Sequence, residues 1–488
     1  MVPSMIKSIQ QFQEKGVKNL EEVFVNYSSD MTKIAEMVYG VRDEVINLGL
    51  SMIAEEWEFY DEKLRTNKHL RKGWYIVRRD ETTLLTSLGS VTYHKTLFKN
   101  VQTGEHEYLL DRVMGIEKHA RITEDAEAKI LEEAVESSYR KGGNSVCITE
   151  DTVSKETVMN KIHALQFPKI TADGVKKQVP YLYIDADEDH VSLQYLEKKG
   201  DIKKPRTNTI MPKIVYVYEG ISNENGRNEL INKKHFGGVY EGTEGVQALW
   251  KEVQDYIDEA YDRDSLKKIY INGDGANWIK SGQKLIAGSK FVLDRFHLHK
   301  YIIGATGHLL DSVEDARSEI YRAIYKKNKG MAREVFEKIE YVTESESKLK
   351  TVKAAKDYII GNWSGIMLSL RSKDTNLKCS AEGHVSHIYA DRMSSRPLGW
   401  SKKGVDKMSR LRIYRENKGN MLELVRYQKQ ELPMAAGCEE VIYMSYEILA
   451  MERKNRQALG CMADLPLYTI PYPQIKKIAN FKDHIYGL

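Results

Sequence analysis

Four carboxylates lie within a short stretch of the chain, directly after an apolar run. Asp185, Asp187, Glu188 and Asp189 follow YLYI at 181–184. Side chains alternate across a strand, so Glu188 faces one side and the three aspartates face the other, about 7 Å apart from one to the next. Two metal ions in a phosphoryl-transfer site lie only about 4 Å apart. The strand is therefore expected to supply one bridging metal ligand, either Asp185 or Asp187.

Two further acids have settings that suit the same chemistry. Asp274 lies between two glycines in INGDGANW, at the end of a predicted buried strand, although an Asp-Gly turn is a common structural alternative. Glu382 begins a predicted helix with Ser386 and Tyr389 on the same face, although the helix dipole alone also favours a glutamate there. Carboxylates from three separate elements suit Mg²⁺, which helps an oxygen nucleophile attack an anionic phosphodiester.

A fourth acid is followed by a histidine one helical turn later. VLDRFHLHK at 292–300 contains Asp294 at a predicted strand end and His297 three residues further on. Asp294 either orients His297 toward the site or toward DNA, or the two form a structural cap.

The elements that must position these acids follow an informative order. Three strands, a helix with a core-facing apolar stripe, a strand, a short helix and a strand are predicted between 179 and 294. The predicted strands are 181–194, 213–220, near 236–240, 269–273 and 291–294. This is the order of an RNase H-like fold: an α/β core with a mixed five-stranded sheet. In that fold the first strand is central and the fourth lies beside it, which would bring Asp187 and Asp274 together.

Two regions carry candidate DNA contacts. Residues 124–165 contain two helical patterns around Gly142-Gly143. They form either a helix-turn-helix, with Lys155, Asn160 and Lys161 on the exposed face of its second helix, or two ordinary amphipathic helices. Residues 396–430 carry ten Lys/Arg against three Asp/Glu, which favours contact with a phosphate backbone over a merely solvated face. The candidate contacts here and in the preceding helix are His384, His387, Arg392, Arg396, Lys402, Lys403, Arg410 and Arg412.

Bulk properties exclude several classes of protein. Hydrophobic residues make up 41% and charged residues 30% of 488, as in a folded globular protein, and the net charge of +4 indicates no particular partner. No apolar run is long enough to span a membrane, and the start lacks a signal-peptide core. Four scattered cysteines without a CxxC motif are typical of reduced thiols in a cytoplasm. A metal site of Cys379, His384 and His387 would lack a well-spaced fourth ligand.

Four motifs resemble those of bacterial insertion-sequence transposases of the ISLre type, which are also grouped as an uncharacterised protein family. They are IDADEDHVSLQ (184–194), YINGDGANWIK (270–280), LDRFHLHKYI (293–302) and EGHVSHIYADRMSSRPLGWSKKG (382–404). The acids and the Asp-Arg-Phe-His motif are more distantly similar to those of Mutator-like DDE transposases. The resemblance runs over almost the whole chain.

This resemblance implies a metal-binding catalytic triad of Asp187, Asp274 and Glu382, with Asp185, Asp294 and His297 auxiliary. It implies two Mg²⁺ ions, for which Mn²⁺ would substitute. It also implies double-stranded DNA as substrate and target, a dimer or higher homo-oligomer on DNA, no membrane partner, and a cytoplasmic, nucleoid-associated location. The predicted organisation is a helical N-terminal region (1–80), a small β-rich module (81–122), a helix-turn-helix-like DNA-binding domain (123–170), the first part of the catalytic core (178–300), a helical insertion (301–378) and the last part of the core with basic C-terminal helices (379–488).

Three other functions fit parts of the pattern. A nuclease or resolvase on the same fold would use the same acids. A domesticated, non-catalytic DNA-binding regulator would have no need of all three acids. A metal-dependent glycosyltransferase could use Asp185-Ala186-Asp187 as a DxD motif, but that reading leaves Asp274, Glu382 and the basic C-terminal region unexplained.

Overall fold

A computed structural model describes residues 5–172, 174–195, 208–223, 226, 228–371, 380–395 and 399–431. The described residues form two compact units. The described residues of the first unit are 5–133, Arg140–Lys155 and Gln428–Glu431. The second contains Ala134–Tyr139 and Glu156–Tyr427. No helix in these described ranges is both long enough and apolar enough to cross a membrane.

The first unit packs helices against a three-stranded antiparallel sheet of order β1-β2-β3. Its core surrounds Leu64, Tyr93 and Phe98. Its elements are α1 (Met5–Gln11), a π-helical turn (Phe12–Gly16), α2 (Val17–Ser29), α3 (Ile34–Thr66), β1 (Trp74–Leu85), β2 (Ser90–Asn100), β3 (His106–Tyr108) and α4 (Leu109–Met114). β2 and β3 are antiparallel neighbours joined through a turn that contains Gly104, at φ +74°. The boundary predicted between residues 80 and 81 falls inside β1, which spans Trp74–Leu85.

Three helices follow: α5 (Glu124–Ala134), α6 (Tyr139–Asn144) and α7 (Lys155–Ala164). The predicted break at Gly142-Gly143 is wrong, since both glycines lie buried inside α6. Val158, Ile162 and Leu165, in and directly after α7, are all buried.

The second unit is built on a five-stranded mixed sheet of order β10-β7-β4-β11-β12. Its five strands are β4 (Tyr181–Glu188), β7 (Lys213–Tyr218), β10 (Lys234–Gly238), β11 (Lys268–Gly273) and β12 (Ser289–Leu293). Central β4 pairs antiparallel with β7 and parallel with β11, and β11 pairs parallel with β12. The predicted central position of the first strand, and its parallel pairing with the fourth, are therefore confirmed. Two short ribbons accompany this sheet: β5 (Val191–Ser192) with β6 (Thr209–Ile210), and β8 (Gly220–Ser222) with β9 (Glu229–Ile231).

The two faces of the large sheet differ in chemistry because side chains alternate along each strand. Leu182, Ile184 and Ala186 of β4 enter an apolar core with α8 (Gly242–Ala260) and α9 (Asn277–Leu285). Tyr183, Asp185 and Asp187 alternate with these residues and so lie on the opposite face. That face also carries stacked tyrosine rings. Acids of β4 are thus presented on a polar, aromatic face.

Helices dominate the rest of the second unit. They are α10 (Arg295–Thr306), α11 (Val313–Tyr325), α12 (Lys329–Val342), α13 (Glu346–Gly361), α14 (Trp363–Arg371), α15 (Ala381–Val385), α16 (Asp391–Met393), α17 (Lys402–Glu416) and α18 (Met421–Glu431), with a π-helical turn at Ser386–Ala390. Ile320, Ile324 and Phe336 of these helices are buried, whereas Val342, at the end of α12, is 59% exposed.

Candidate active site

The acidic site lies where the parallel strands β4, β11 and β12 end. Asp185 of β4 is paired with Asn272 of β11. Two residues later along each chain segment lie Asp187, still in β4, and Asp274, directly after the end of β11. Asp294 immediately follows β12, and its amide donates to the Gly273 carbonyl over 2.9 Å. The carboxyl ends of parallel strands meet at one sheet edge, and this register brings the three aspartates to it.

The electrostatics of Asp187 place the predicted triad in one neighbourhood. Burial raises the pKa of Asp187 to about 7. The value of about 7 includes smaller contributions from neighbouring groups. The negative charges of Asp274 and Glu382 raise the pKa of Asp187, whereas a hydrogen bond from the Glu188 amide and the charge of His297 lower it. A carboxyl group responds in this way only to charges near it. The structure therefore places Asp274, Glu382 and His297 near enough to Asp187 for their charges to act on its pKa.

Asp185 has a different environment, although it lies on the same face of the same strand. It is fully buried, and burial raises its pKa. Its Oδ1 accepts from the amide of Asn272 over 2.6 Å and from the hydroxyl of Tyr218 over 3.2 Å. Its Oδ2 accepts from the hydroxyl of Tyr216 and the backbone amide of Ser380, each over 2.8 Å, with the Ser380 hydroxyl at 3.4 Å. A carboxylate surrounded by so many donors is held in place as a structural acceptor.

Those contacts give Asp185 an indirect role at the site. Ser380 precedes α15, the helix on which Glu382 is the second residue. By accepting from both the amide and the hydroxyl of Ser380, Asp185 ties the start of that helix to β4, two residues before Asp187. The buried acid therefore positions the Glu382 element relative to the strand acids.

Glu382 itself is exposed. The helix after it widens into a π-turn at Ser386–Ala390, a distortion found frequently at functional sites. The prediction that Tyr389 shares the face of Glu382 is wrong. Tyr389 is fully buried and its hydroxyl donates to the Lys213 carbonyl, because the π-turn shifts the register. Ser386, by contrast, is exposed.

Close backbone packing fixes the Asp274 turn. A Cβ at Gly273 would lie 2.9 Å from the carbonyl oxygen of Ala186, so only glycine lets β11 approach β4 here. Gly275 adopts φ +90°, and the Asp274 carboxylate accepts from the amide of Ala276 over 2.8 Å. The hydroxyl of Tyr358, on α13, donates to the Asp274 carbonyl. The turn is common in form, but its attachment to α13 is specific.

Asp294 both caps a helix and holds His297 in place. One oxygen of Asp294 caps α10 by accepting from the Phe296 amide over 3.1 Å. Its other oxygen bonds Nδ1 of His297 at 2.9 Å. That hydrogen bond is the main reason why the pKa of His297 is raised, with help from the charges of Asp294, Asp274 and Asp187. The cap therefore also holds an imidazole beside the acids, with its Nε2 away from Asp294.

The carboxylates of the site meet some of the requirements of a divalent cation. Three carboxylates from separate elements supply the hard oxygen ligands that Mg²⁺ prefers, and their mutual repulsion at Asp187 is the kind that a cation relieves. Within the described ranges, no three Asp, Glu, His or Cys side chains are close enough together to enclose an ion. The chemistry of the site thus fits a hard cation, although its carboxylates are not gathered around one.

The two other acids of the β4 cluster are engaged elsewhere. Glu188 forms an ion pair with Lys213 at 3.2 Å. Asp189 is buried and accepts from the hydroxyl of Ser394 over 3.0 Å. For Asp187, by contrast, the charges of Asp274 and Glu382 are among the causes of its raised pKa.

Several residues assigned to DNA contact have internal positions instead. Arg392 and Arg412 are buried, and their guanidinium groups donate to the carbonyls of Ala134 and Val135 respectively. His384 stacks on Tyr216 with ring centres 4.2 Å apart, and its Nδ1 lies 3.1 Å from Nε2 of His235. Burial lowers the pKa of His384 to about 4, so it is neutral near pH 7. These three side chains, which the sequence suggested as DNA contacts, are thus held by contacts inside the protein.

The remaining candidates are more accessible, and their role stays a prediction. Lys403, His387, Lys155 and Asn160 are exposed, and Lys161 is partly buried. Lys402 pairs with Glu241 at 2.6 Å, and Arg410 pairs with Asp406 at 2.9 Å and packs over the ring of Tyr240. Acidic side chains of the same chain therefore neutralise part of the positive charge of α17. Arg396 and Cys379 lie outside the described residues.

Sequence reasoning missed the supports of the site, namely Ser380, Tyr216, Tyr218, Asn272 and Tyr358. The alternation of tyrosines in YLYI and KIVYVY was a signal for a polar second face, because a strand buried only in hydrocarbon has no use for several hydroxyl groups. Ser380, two residues before Glu382, had the residue type of a helix N-cap. Nothing in the sequence connects Tyr358 with Asp274.

Comparison with known proteins gives a consistent assignment. A model of the uncharacterised protein family UPF0236 matches residues 28–431. Two UPF0236 proteins of Caldanaerobacter subterraneus subsp. tengcongensis, whose names join four and eleven locus labels, are 36% and 35% identical over 84% and 85% of both chains. A protein of Streptococcus gallolyticus named "UPF0236 protein in vanSb 3'region" is 22% identical over 92% of this chain and 97% of its own length. These three names state no activity. By the length of the family match and the identity of these relatives, the chain belongs to the uncharacterised protein family UPF0236.

Proposed function

We propose that this protein is a DDE-type DNA transposase of the ISLre kind, distantly related to Mutator-like enzymes. It would cleave DNA at the ends of its insertion sequence and join the freed 3′-hydroxyls to target DNA. The observation that carries the proposal is the convergence of Asp187, Asp274 and Glu382 at the ends of a parallel strand pair, where their charges act on one another. The strand order, with an antiparallel second strand beside the central one, supports an RNase H-like core.

The family relatives lend independent support. One UPF0236 protein of C. subterraneus subsp. tengcongensis has a name that joins eleven locus labels, and another joins four. A mobile element that copies or moves itself accounts for a protein repeated at many loci in one genome. An ordinary metabolic enzyme or regulator does not need so many copies.

The residues of the chain would divide the chemistry as follows. Asp187, Asp274 and Glu382 would hold divalent cations, which supply charge neutralisation of the phosphodiester and activation of the attacking oxygen. Asp185 holds the start of the Glu382 helix through Ser380. His297, fixed through Nδ1 by Asp294, directs Nε2 away from its partner and is suited to donate a hydrogen bond to a phosphate oxygen. Cleavage and joining are both in-line displacements at phosphorus, so one site would serve both.

The test is a cleavage and strand-transfer assay with the full-length protein. The substrates are linear DNAs that carry the sequences flanking the gene in its genome, with a supercoiled plasmid as target. We expect Mg²⁺-dependent nicking at the element ends and covalent joining of the 3′-ends to the plasmid. Asp187→Asn, Asp274→Asn and Glu382→Gln are each expected to reduce both products to background while leaving DNA binding in a gel-shift assay unchanged.

Glu188→Gln is the matched control, because Glu188 neighbours Asp187 in sequence but pairs with Lys213. It is expected to retain cleavage. Full cleavage by the Asp187 variant would refute the assignment of the first acid. Cleavage without joining would identify a nuclease or resolvase, and binding without cleavage a regulator. A glycosyltransferase DxD role is disfavoured because Asp185, the first acid of that motif, is saturated by internal donors.

A further inference from the structure

The long helix α3 carries an apolar seam with the spacing of a coiled coil. Its apolar residues recur at alternating intervals of four and three, which is the heptad pattern of a helix that packs along another helix. The members of this seam are Ile34, Val38, Val41, Val45, Leu48 and Met52. An ordinary core-facing helix has a broader apolar stripe.

Much of this seam is open to solvent in the first unit. Ile34 is 56% exposed, Val38 50% and Val45 56%. The core of the unit is met by other positions of the helix, where Ile53, Trp57 and Leu64 pack with the sheet residues. Around a helix at 100° per residue, these positions lie roughly 100–140° away from the seam. Ile34, Val38 and Val45 of the seam therefore lie outside this core.

We infer that the α3 seam pairs with the same seam of a second copy of this chain in a two-stranded coiled coil. The apolar residues repeat every 3.5 residues on average, which indicates that a second helix covers the seam. Such a repeat stays on one side of a helix only when two helices supercoil around each other. Placing Val38, Val45 and Met52 at heptad position a puts Ile34, Val41 and Leu48 at position d. Among these layers, Val45 with Leu48 gives the combination of a β-branched residue at a and leucine at d that favours two strands. A symmetric dimer needs only one self-complementary patch per copy.

Charge pattern selects the parallel orientation. An antiparallel pairing that aligns all six seam residues would set Ile34 against Met52 and Val41 against Val45. It would also place Arg42 beside Arg42 and Glu44 beside Glu44 of the second copy, and like charges at these flanking positions repel. In a parallel, in-register pair, Arg42 lies beside Met37 and Glu44 beside Gly49, so no like charges meet. This dimer does not depend on the proposed catalytic function.

The first test is the mass of the full-length protein without DNA, by sedimentation across a concentration series. We expect the wild type to reach twice the monomer mass. The double variant V38E/V45E is expected to weaken dimerisation by about 100-fold or more, since each buried charge costs more than the 1.4 kcal/mol of a tenfold change. The matched control is V342E, because Val342 is also an exposed valine at 59%, on α12 of the second unit. It should remain dimeric.

A second test does not rely on disrupting the seam. Val38→Cys is expected to form a disulfide-linked dimer on mild oxidation, because facing a positions are adjacent in a parallel pair. Asn47→Cys, an exposed residue off the seam, and the wild-type cysteines should not do so. A monomeric wild type would overturn the inference, as would a V38E/V45E variant that still dimerises. A monomer whose melting temperature falls in V38E/V45E would show instead that the same chain covers the seam.

Discussion

The middle and the carboxyl end of β4 use aspartate in opposite ways, although Asp185 and Asp187 are only two positions apart. At the middle, Asp185 lies on the buried polar face and accepts hydrogen bonds from Tyr216, Asn272 and Ser380. At the end, Asp187 receives a hydrogen bond from its neighbouring amide and lies near two further carboxylates. Burial raises the pKa of both groups, so burial alone does not distinguish them.

The difference lies in what surrounds each carboxylate. Donors around Asp185 compensate its charge and convert it into an anchor that holds together β7, β11 and the Glu382 helix. Around Asp187 the charges of Asp274 and Glu382 are negative and raise its pKa, while the charge of His297 opposes them. We therefore expect the first position to matter most for stability and the second for the proposed cleavage, a division that substitutions can test.

The largest expected effect is on stability. Asp185→Ala would leave the hydroxyls of Tyr216 and Tyr218 and the amides of Asn272 and Ser380 without their acceptor, a loss of about 3–5 kcal/mol in the free energy of unfolding. Urea denaturation measures it. Asp187→Ala is the matched control, with a change below about 1 kcal/mol expected because burial already penalises its charge. Equal losses in the two variants would contradict the comparison.

The next effect is a loss of stability in acid, centred on His235. This buried ring lies against Tyr216 and faces His384, with Lys233, Lys234 and Asn417 nearby. Burial holds its pKa well below 6.5. The folded state therefore binds fewer protons than the unfolded state, and the stability that the neutral ring contributes is present above about pH 6.5 and is lost as the pH falls below it.

The expected slope is at most about 1.4 kcal/mol per pH unit. Urea denaturation at about pH 7.5 and pH 5.5 measures it. His235→Gln should show a smaller loss between the two conditions than the wild type. An unchanged loss in that variant would assign the acid sensitivity to other groups.

The smallest effect concerns the support of the Asp274 turn. Tyr358→Phe removes the hydroxyl that donates to the Asp274 carbonyl but keeps the ring stacked on Tyr301, whose centre is 3.7 Å away. We expect a loss of about 1 kcal/mol in stability. We also expect roughly a tenfold fall in Mg²⁺-dependent cleavage, the effect typical of residues that orient metal ligands. Tyr301→Leu, which removes the stack but leaves the hydrogen bond, separates the two contributions. A cleavage rate that falls only in Tyr301→Leu would show that the hydroxyl does not matter.

The sheet and the candidate acids were accessible from local patterns, whereas the preference for Asp187 over Asp185 came from the family resemblance. Alternation and apolar runs predicted β4, β7, β11 and β12, and the order of elements predicted that Asp187 and Asp274 lie on neighbouring strands. Patterns that depend on distant contacts were misread. The π-turn after Glu382 buries Tyr389 against Lys213, and α6 absorbs Gly142-Gly143. Arg392 and Arg412 have the residue type of phosphate ligands, but their burial depends on carbonyls more than two hundred residues away.

The sequence by itself determined the periodicities of the chain, the acids at its strand ends and the heptad spacing of α3, because these are set by residue type and short-range geometry. Only the tertiary structure decided which carboxylate is saturated, which arginines are internal and which face of α3 remains exposed. The physical reason is that a hydrogen bond or an ion pair depends on which distant groups the fold brings within about 3 Å, and alternation within one strand carries no record of them.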